Sequence, residues 1–275
     1  MDADHLDFFK DLDDIRHSFR LFAEKLPADG TLIINKAIPN METVTRGLNC
    51  KILTYDMDAS SQADYYAANV SYDALACGSF DLMRGSENLG HFVLHVPGSH
   101  NVDNAIAALA LADLIGIPVA AMQKGLDQFG GTERRFQHKG EIGGVTIIDD
   151  YAHHPTEIRA TLQAAQKCKH HTLWCVFQPH TYTRTKALMD DFASALSLAD
   201  KVVLADIYAA RETDTLGISS RTLQEKLLEL GCDAYYFPSF DEIETFLLEN
   251  CVQDDLLITM GAGDIVKVGE NLLGK

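Results

Sequence analysis

Apolar residues recur at helical spacing at Ile15, Phe19, Phe22 and Leu26 of DLDDIRHSFRLFAEKL (11–26), and PADG ends the run. TLIIN (31–35) reads as a short buried strand, PNMETVTRGL as a short helix and KILTY (51–55) as a second strand. Between 64 and 96 the period drops to two. DYYAANVSY, ALACGSFDLM and GHFVLHV alternate apolar with polar positions between Gly and Ser turns, which predicts an antiparallel meander. GSHNVDNAIAALALADLIGIP (98–118) is apolar nearly all round and closes on Gly116 and Pro118, which predicts a buried helix. VAAMQKGLDQF reads as a further helix, and GGTERRFQHKGEIGG as a glycine-punctuated connector. The expected domain boundary lies near residue 132, giving domains 1–131 and 132–275.

Beyond the connector the pattern becomes regular. VTIID (145–149), TLWCVFQ (172–178), KVVLADI (201–207), AYYF (234–237) and DLLITMG (255–261) read as strands. Helical stretches separate them at about 155–167, 184–198, 219–230, 239–250 and 263–273. Continuously apolar strands alternating with helices predict a parallel sheet covered on both faces, a doubly wound α/β domain. Such sheets bind ligands beyond the carboxyl ends of their strands. DDYAHHPTE, FQPHTYTR, DIYAARE and MGAGD each follow a strand directly, so the topology carries all four to one edge.

Composition narrows the class. Asp and Glu outnumber Lys and Arg 40 to 23, for a formal charge of -17. A chain this acidic lacks the basic face that nucleic acid or anionic lipid requires. No apolar run reaches the roughly 18 residues of a membrane span. The six cysteines are scattered without a CxxC pair, as expected of reduced, mostly buried thiols in a cytoplasmic protein.

The strand-end turns admit two kinds of reading. Asp149 and Asp150 could cap the helix that starts at Pro155, with His153 and His154 solvated, or the turn could be part of a site. Adjacent histidines point apart, and no HExxH or Cys-rich set accompanies them, which disfavours a structural zinc. MGAGD could feed an anion to a helix N-terminus but lacks the full GxGxxG. Arg184 and Arg211 stand where guanidinium groups could hold carboxylates or phosphates, or could form surface ion pairs.

GSHNVDN, GGTERRFQ, DDYAHHPTE, FQPHTYTRT and MGAGD, in that order and spacing, resemble the Mur ligases over nearly the whole chain from Asp4 onward. DDYAHHPTE is most similar to the member that joins L-alanine to UDP-N-acetylmuramate. The resemblance implies a cytoplasmic, ATP- and Mg2+-dependent enzyme of peptidoglycan synthesis, built from a UDP-sugar domain, a central ATPase domain and a C-terminal Rossmann-like domain. His5 in ADHLD then matches a magnesium ligand. Asn101 and Asn104, on one helix face, match asparagines that contact adenine. Arg135 matches an arginine that reaches ATP, and Asp150 an acid that contacts ribose. His180 and Arg184 match a region that orients the amino acid. The implied catalytic set is Arg135, Asp150 and His154, and the implied substrate set is His153, His154, His180, Arg184 and Arg211. ATP would phosphorylate the muramate carboxylate, and the alanine amine would displace phosphate from the acyl-phosphate.

The departures matter equally. GxxxxGK[ST] is absent from these residues, so the phosphate cradle and the UDP-sugar domain are expected to lie in a missing upstream part. The chain would then be the back half of the central domain plus the C-terminal domain, inactive alone and exposing apolar surface where its neighbours are lost. SFRLF has no lysine where several relatives carry a modified one, and Thr181 stands where many have arginine. Two alternatives stay open: a related ligase that attaches a tripeptide to the same sugar acid, against which Glu157 leans, and a nucleotide- or peptide-binding module without turnover.

Overall fold

The computed structural model describes residues 8–213 and 215–275. The chain divides into two compact units, Met1–Gly130 and Gly131–Lys275.

In the first unit, β1 (Thr31–Asn35) and β2 (Lys51–Asp56) run parallel, from Thr31↔Lys51 to Asn35↔Tyr55. Strand β3 (Tyr65–Tyr72) joins β2 in parallel through Tyr55↔Tyr65 and Asp56↔Tyr66. Strands β4 (Cys77–Arg84) and β5 (Glu87–Pro97) then follow antiparallel, so the meander extends a parallel pair into one sheet. A long helix (Ser99–Leu114) lays Val102, Ile106, Leu109 and Ala110 against Phe80, Leu82, Phe92 and Leu94. This helix is not buried all round as its sequence suggests. Leu111 is 50% exposed and Leu114 38%, because one sheet covers one face of a helix and no described element covers the other.

The first helix of the chain, α1 (Leu12–Ala23), is capped by Asp11, whose side chain accepts from the amides of Asp13 and Asp14. It buries Ile15 and Ala23 but leaves Phe19 51% and Phe22 70% exposed. Strand β1, beneath it, pairs on one side only among the described residues. The following helices are α2 (Glu42–Thr45), α3, as the long helix is numbered, and α4 (Val119–Asp127).

The second unit holds a six-stranded sheet. Its strands are β6 (Gln137–Ile142), β7 (Val145–Asp150), β8 (Leu173–Phe177), β9 (Lys201–Leu204), β10 (Asp233–Tyr236) and β11 (Leu256–Met260), in the order β10-β9-β8-β11-β7-β6. All pairs are parallel except β6·β7. Alternate residues serve opposite faces. Ile148, Cys175, Phe177, Val202 and Leu204 meet α5 (Pro155–Ala165), α7 (Met189–Leu196) and α8 (Ser220–Glu229). Ile147, Trp174, Val176 and Val203 meet α9 (Phe240–Asn250) and α10 (Val266–Leu272).

Three further expectations need correction. The glycine-punctuated connector contains β6, whose alternation is hidden by a register shift between His138 and Gly140, with Gly140 at φ +152. The single helix expected at 184–198 is α6 (Tyr182–Ala187) and α7, broken where Leu188 takes φ -116, ψ 23. All six cysteines are free, but only Cys50 and Cys175 are buried and the rest are half-buried. Among the described residues no helix is long and apolar enough to cross a membrane.

At the end of the sheet opposite the strand-end turns, Asp255 is 3% exposed and organises the starts of β8 and β11. One oxygen accepts from Thr172 N (3.1 Å) and lies 2.9 Å from His171 Nδ1; the other accepts from Trp174 Nε1 (2.9 Å) and Val252 N (3.0 Å). Burial pushes this carboxyl up, but hydrogen bonds from Val252, His171, Trp174 and Thr172 outweigh it and leave the group below the usual carboxylate range. Its contribution to stability is therefore present at neutral pH and is lost as pH falls through the lowered folded value. Asp255→Ala strands the Trp174 N–H and two amides, and is expected to cost about 2–4 kcal/mol in urea unfolding at pH 7. The deficit should shrink as the pH is lowered through the Asp255 titration.

Candidate functional site

The parallel strands of the second unit release their chains on one edge: β7 into Tyr151–His154, β8 into Gln178–Thr181, β9 into Ala205–Arg211 and β11 into Gly261–Asp264. Arg134 ties this edge together. Its Nε donates to Asp149 Oδ2 (2.8 Å), one Nη to the Gly263 carbonyl (3.1 Å) and the other to the Gly261 carbonyl (2.6 Å). Asp149 is fully buried and also accepts from Thr259 Oγ1 (2.7 Å). The Arg134 carbonyl accepts from Tyr151 N (2.6 Å), and its guanidinium lies 4.8 Å from the Tyr151 ring centre. One side chain thus fixes the connector, the β7 turn and the β11 turn.

Asp150 completes the fastening. It is 4% exposed, and its oxygens accept from Phe136 N and Ala152 N, both at 2.8 Å. Burial pushes its carboxyl up, against the pull of those two amides, Arg135 and the Thr161 hydroxyl. Asp149 and Asp150 therefore bind the connector and do not cap α5. That cap is His154, whose Nδ1 accepts from Thr156 N (3.3 Å). An accepting Nδ1 places the proton of the neutral ring on Nε2, which is buried without a hydrogen-bond partner.

The outward side chains of the same turns form a row. Tyr151 and His153 lie 5.5 Å apart between ring centres, His153 and His180 6.1 Å, and His180 stacks on Tyr208 at 5.5 Å. His153 Nδ1 sits 3.0 Å from the Tyr151 carbonyl, and its backbone N–H donates to Glu157 Oε2 (3.1 Å). Arg135 is half-exposed, 3.6 Å from Glu157 and 5.8 Å from the Tyr151 ring centre. Arg184 donates to His180 Nδ1 at 3.3 Å, and Arg211 is exposed in the β9 turn. The second unit thus gathers His153, His180, Arg184 and Arg135 on one edge, with His154 and Asp150 beneath them.

The MGAGD glycines serve close approach. A Cβ at Gly263 would stand 2.3 Å from Gln178 Oε1, and one at Gly261 2.7 Å from the Gln178 carbonyl. Their own carbonyls face Arg134, so this turn presents acceptors to a cation.

In the first unit, Asn101 Nδ2 donates to the Pro97 carbonyl (2.8 Å), and Asn104 Nδ2 donates to Asn101 Oδ1 (3.4 Å). The two amides share a helix face and Asn104 is exposed. His5 lies outside the described residues. Among the described residues no group of three or more His, Cys, Asp or Glu is placed to hold a metal. Arg134, Tyr151, Tyr208 and Glu212 escaped the sequence reading. The Arg doublet of GTERRF and the run DIYAARE were the available signals.

Residues 1–112 match the Mur ligase middle domain and residues 134–263 the Mur ligase glutamate ligase domain. The chain belongs to the Mur ligase family and carries its middle and C-terminal domains. It is 58% identical over 275 residues to a UDP-N-acetylmuramate–L-alanine ligase of Agathobacter rectalis and 55% identical over 270 residues to one of Lachnospira eligens. These matches cover 100% and 98% of this chain but 60% and 59% of those proteins, so the chain spans about three-fifths of the relatives it matches. The crystal structure of UDP-N-acetylmuramate–alanine ligase from Thermotoga maritima aligns with a TM-score of 0.77 at 26% identity, covering 98% of this chain and 56% of that one.

Removing the guanidinium leaves a buried carboxylate without its cation. Arg134→Met is expected to lower the unfolding free energy by about 3–5 kcal/mol. Adding Asp149→Asn to Arg134→Met should restore part of that loss, as a double-mutant cycle by chemical denaturation would show.

Proposed function

We propose that this chain is the middle and C-terminal portion of a cytoplasmic ligase that uses ATP to join L-alanine to UDP-N-acetylmuramate, a step of peptidoglycan precursor synthesis. The observation that carries this reading is the 58% identity, over all 275 residues, to a ligase of that name. In the reaction, the muramate carboxylate takes the γ-phosphoryl group of ATP, giving an acyl-phosphate and ADP. The alanine nitrogen attacks the carbonyl carbon, and the tetrahedral intermediate expels inorganic phosphate as the amide forms. Magnesium, when bound, offsets charge on the transferring phosphoryl group.

The chain's own residues take distinct parts. In the first unit, Asn101 and Asn104 offer the paired amides that suit adenine. In the second, Arg135 contacts ATP, while Asp150 and His154 hold the turn from within. His180, Arg184 and Arg211 bind the carboxylate of the amino acid. His153 supplies the base. Its Nδ1 lies 3.0 Å from the Tyr151 carbonyl, which that nitrogen satisfies as a donor, so the neutral ring keeps its lone pair on Nε2. That nitrogen accepts the proton the alanine ammonium must lose before it attacks.

The test is phosphate release from ATP in the presence of UDP-N-acetylmuramate, with and without L-alanine. It is run on this chain and on the chain with its upstream sequence restored. Release only from the longer protein, and only with alanine, is the expected result. Release that requires a tripeptide in place of alanine would assign the chain to the peptide-adding ligase. Silence with every amine, alongside nucleotide binding, would make it a binding module.

A further inference from the structure

The turn after β8 carries two of the proposed amino-acid ligands, His180 and Arg184, on strained backbone. Thr181 takes φ +68, ψ 141, a region that β-branched side chains rarely adopt. Such a conformation persists only where its surroundings impose it. The surroundings here come from the β9 turn. Thr181 N donates to the Tyr208 carbonyl and Tyr208 N to the Pro179 carbonyl, both at 2.8 Å. His180 and Tyr208 form an isolated parallel bridge and stack their rings at 21°.

Glu212 closes this fastening. One of its carboxylate oxygens accepts from the backbone N–H of Tyr182 and from that of Thr183 (3.2 Å), the two amides that open α6. Both belong to the unpaired donors at the start of a helix, and a carboxylate there is favoured by charge as well as by hydrogen bonding. Arg184 follows one residue later and His180 precedes by two.

We propose that Glu212 is a positioning residue for the amino-acid site: by holding the first amides of α6 it fixes the strained turn and so sets the places of His180 and Arg184. The proposal rests on the functional reading above for the identity of the amine. It predicts a defect in amino-acid use that leaves nucleotide use intact.

The experiment uses the ligase with its upstream sequence restored and compares Glu212→Ala with Glu212→Gln. Gln keeps an oxygen that accepts both amides; Ala removes it. Glu212→Ala is expected to raise KM for L-alanine about 10-fold or more, as sub-ångström misplacement of binding groups does. KM for ATP should stay within about 2-fold, and Glu212→Gln should restore most of the loss. If KM for alanine is unchanged in Glu212→Ala, or if both KM values rise together with a fall in Tm, the residue is merely structural and the proposal is wrong. A second readout is independent of turnover: hydrogen exchange at the Tyr182 and Thr183 amides of this chain. Protection in the wild type and Glu212→Gln, lost in Glu212→Ala, supports the fastening, and equal protection in all three overturns it. Should the unmutated ligase ignore alanine, the functional reading fails, and the exchange data alone then decide whether Glu212 holds the turn.

Discussion

The contact between Arg134 and Asp149 is the constraint on which the edge of the second unit depends. A fully buried carboxylate is tolerable only with a cation or several donors beside it. Asp149 has the Arg134 guanidinium at 2.8 Å and the Thr259 hydroxyl at 2.7 Å. Such a pair is a weak source of net stability, since desolvation takes back most of the Coulomb gain. Its value here is arrangement. Arg134 gives two further donors to the carbonyls of Gly261 and Gly263, so these bonds all form only when three separate turns stand in one relation. An apolar side chain of equal size could fill the space but could not count those turns.

That role accounts for several local oddities. Arg134 and Phe136 both adopt positive φ, at 56° and 47°, which is costly for side-chain-bearing residues. The cost is met because the guanidinium of the first is pinned by Asp149 and the amide of the second by Asp150. The glycines of MGAGD lie so close to Gln178 that a methyl group would collide with it. Their small size lets the β11 turn close over β8 while its carbonyls reach Arg134.

The layout of the second unit was legible because its signal is redundant. Strands buried on both faces read as unbroken apolar runs, and five of them alternate with helices, so no single misjudged residue could change the class. Strand β6 was hidden because an edge strand with a bulge and glycines lacks that redundancy. The α3 helix misled in the opposite direction. Its composition is apolar on every side, yet burial is a property of neighbours, and Leu111 and Leu114 stay 50% and 38% exposed. The half-buried cysteines teach the same point. Of the site, the turns were legible and the partners were not. Sequence order places DDYAHHPTE after a strand, but whether an acid faces in or out depends on contacts such as Arg134, 15 positions away in the chain.

This division resolves why one turn is so rich in titratable groups. Asp149, Asp150 and His154 point inward: Asp149 accepts from a guanidinium, Asp150 from two amides, and His154 through Nδ1 from the start of its own helix. Tyr151, His153 and Glu157 point outward and meet the half-exposed Arg135 and the rings of the neighbouring turn. The inward set makes the outward set rigid, because a turn held at both carboxylates and capped by its own histidine has few other shapes. Preorganisation of this kind holds the outward groups in one arrangement, so a ligand meeting them need not reorder them. The β8 turn follows the same rule with different parts: a strained Thr181, a carboxylate from Glu212 and a stacked Tyr208 support His180 and Arg184. In both turns the acids act as fasteners, Asp150 and Glu212 on backbone amides and Asp149 on the Arg134 guanidinium, and a histidine and an arginine stand beside them on the same edge.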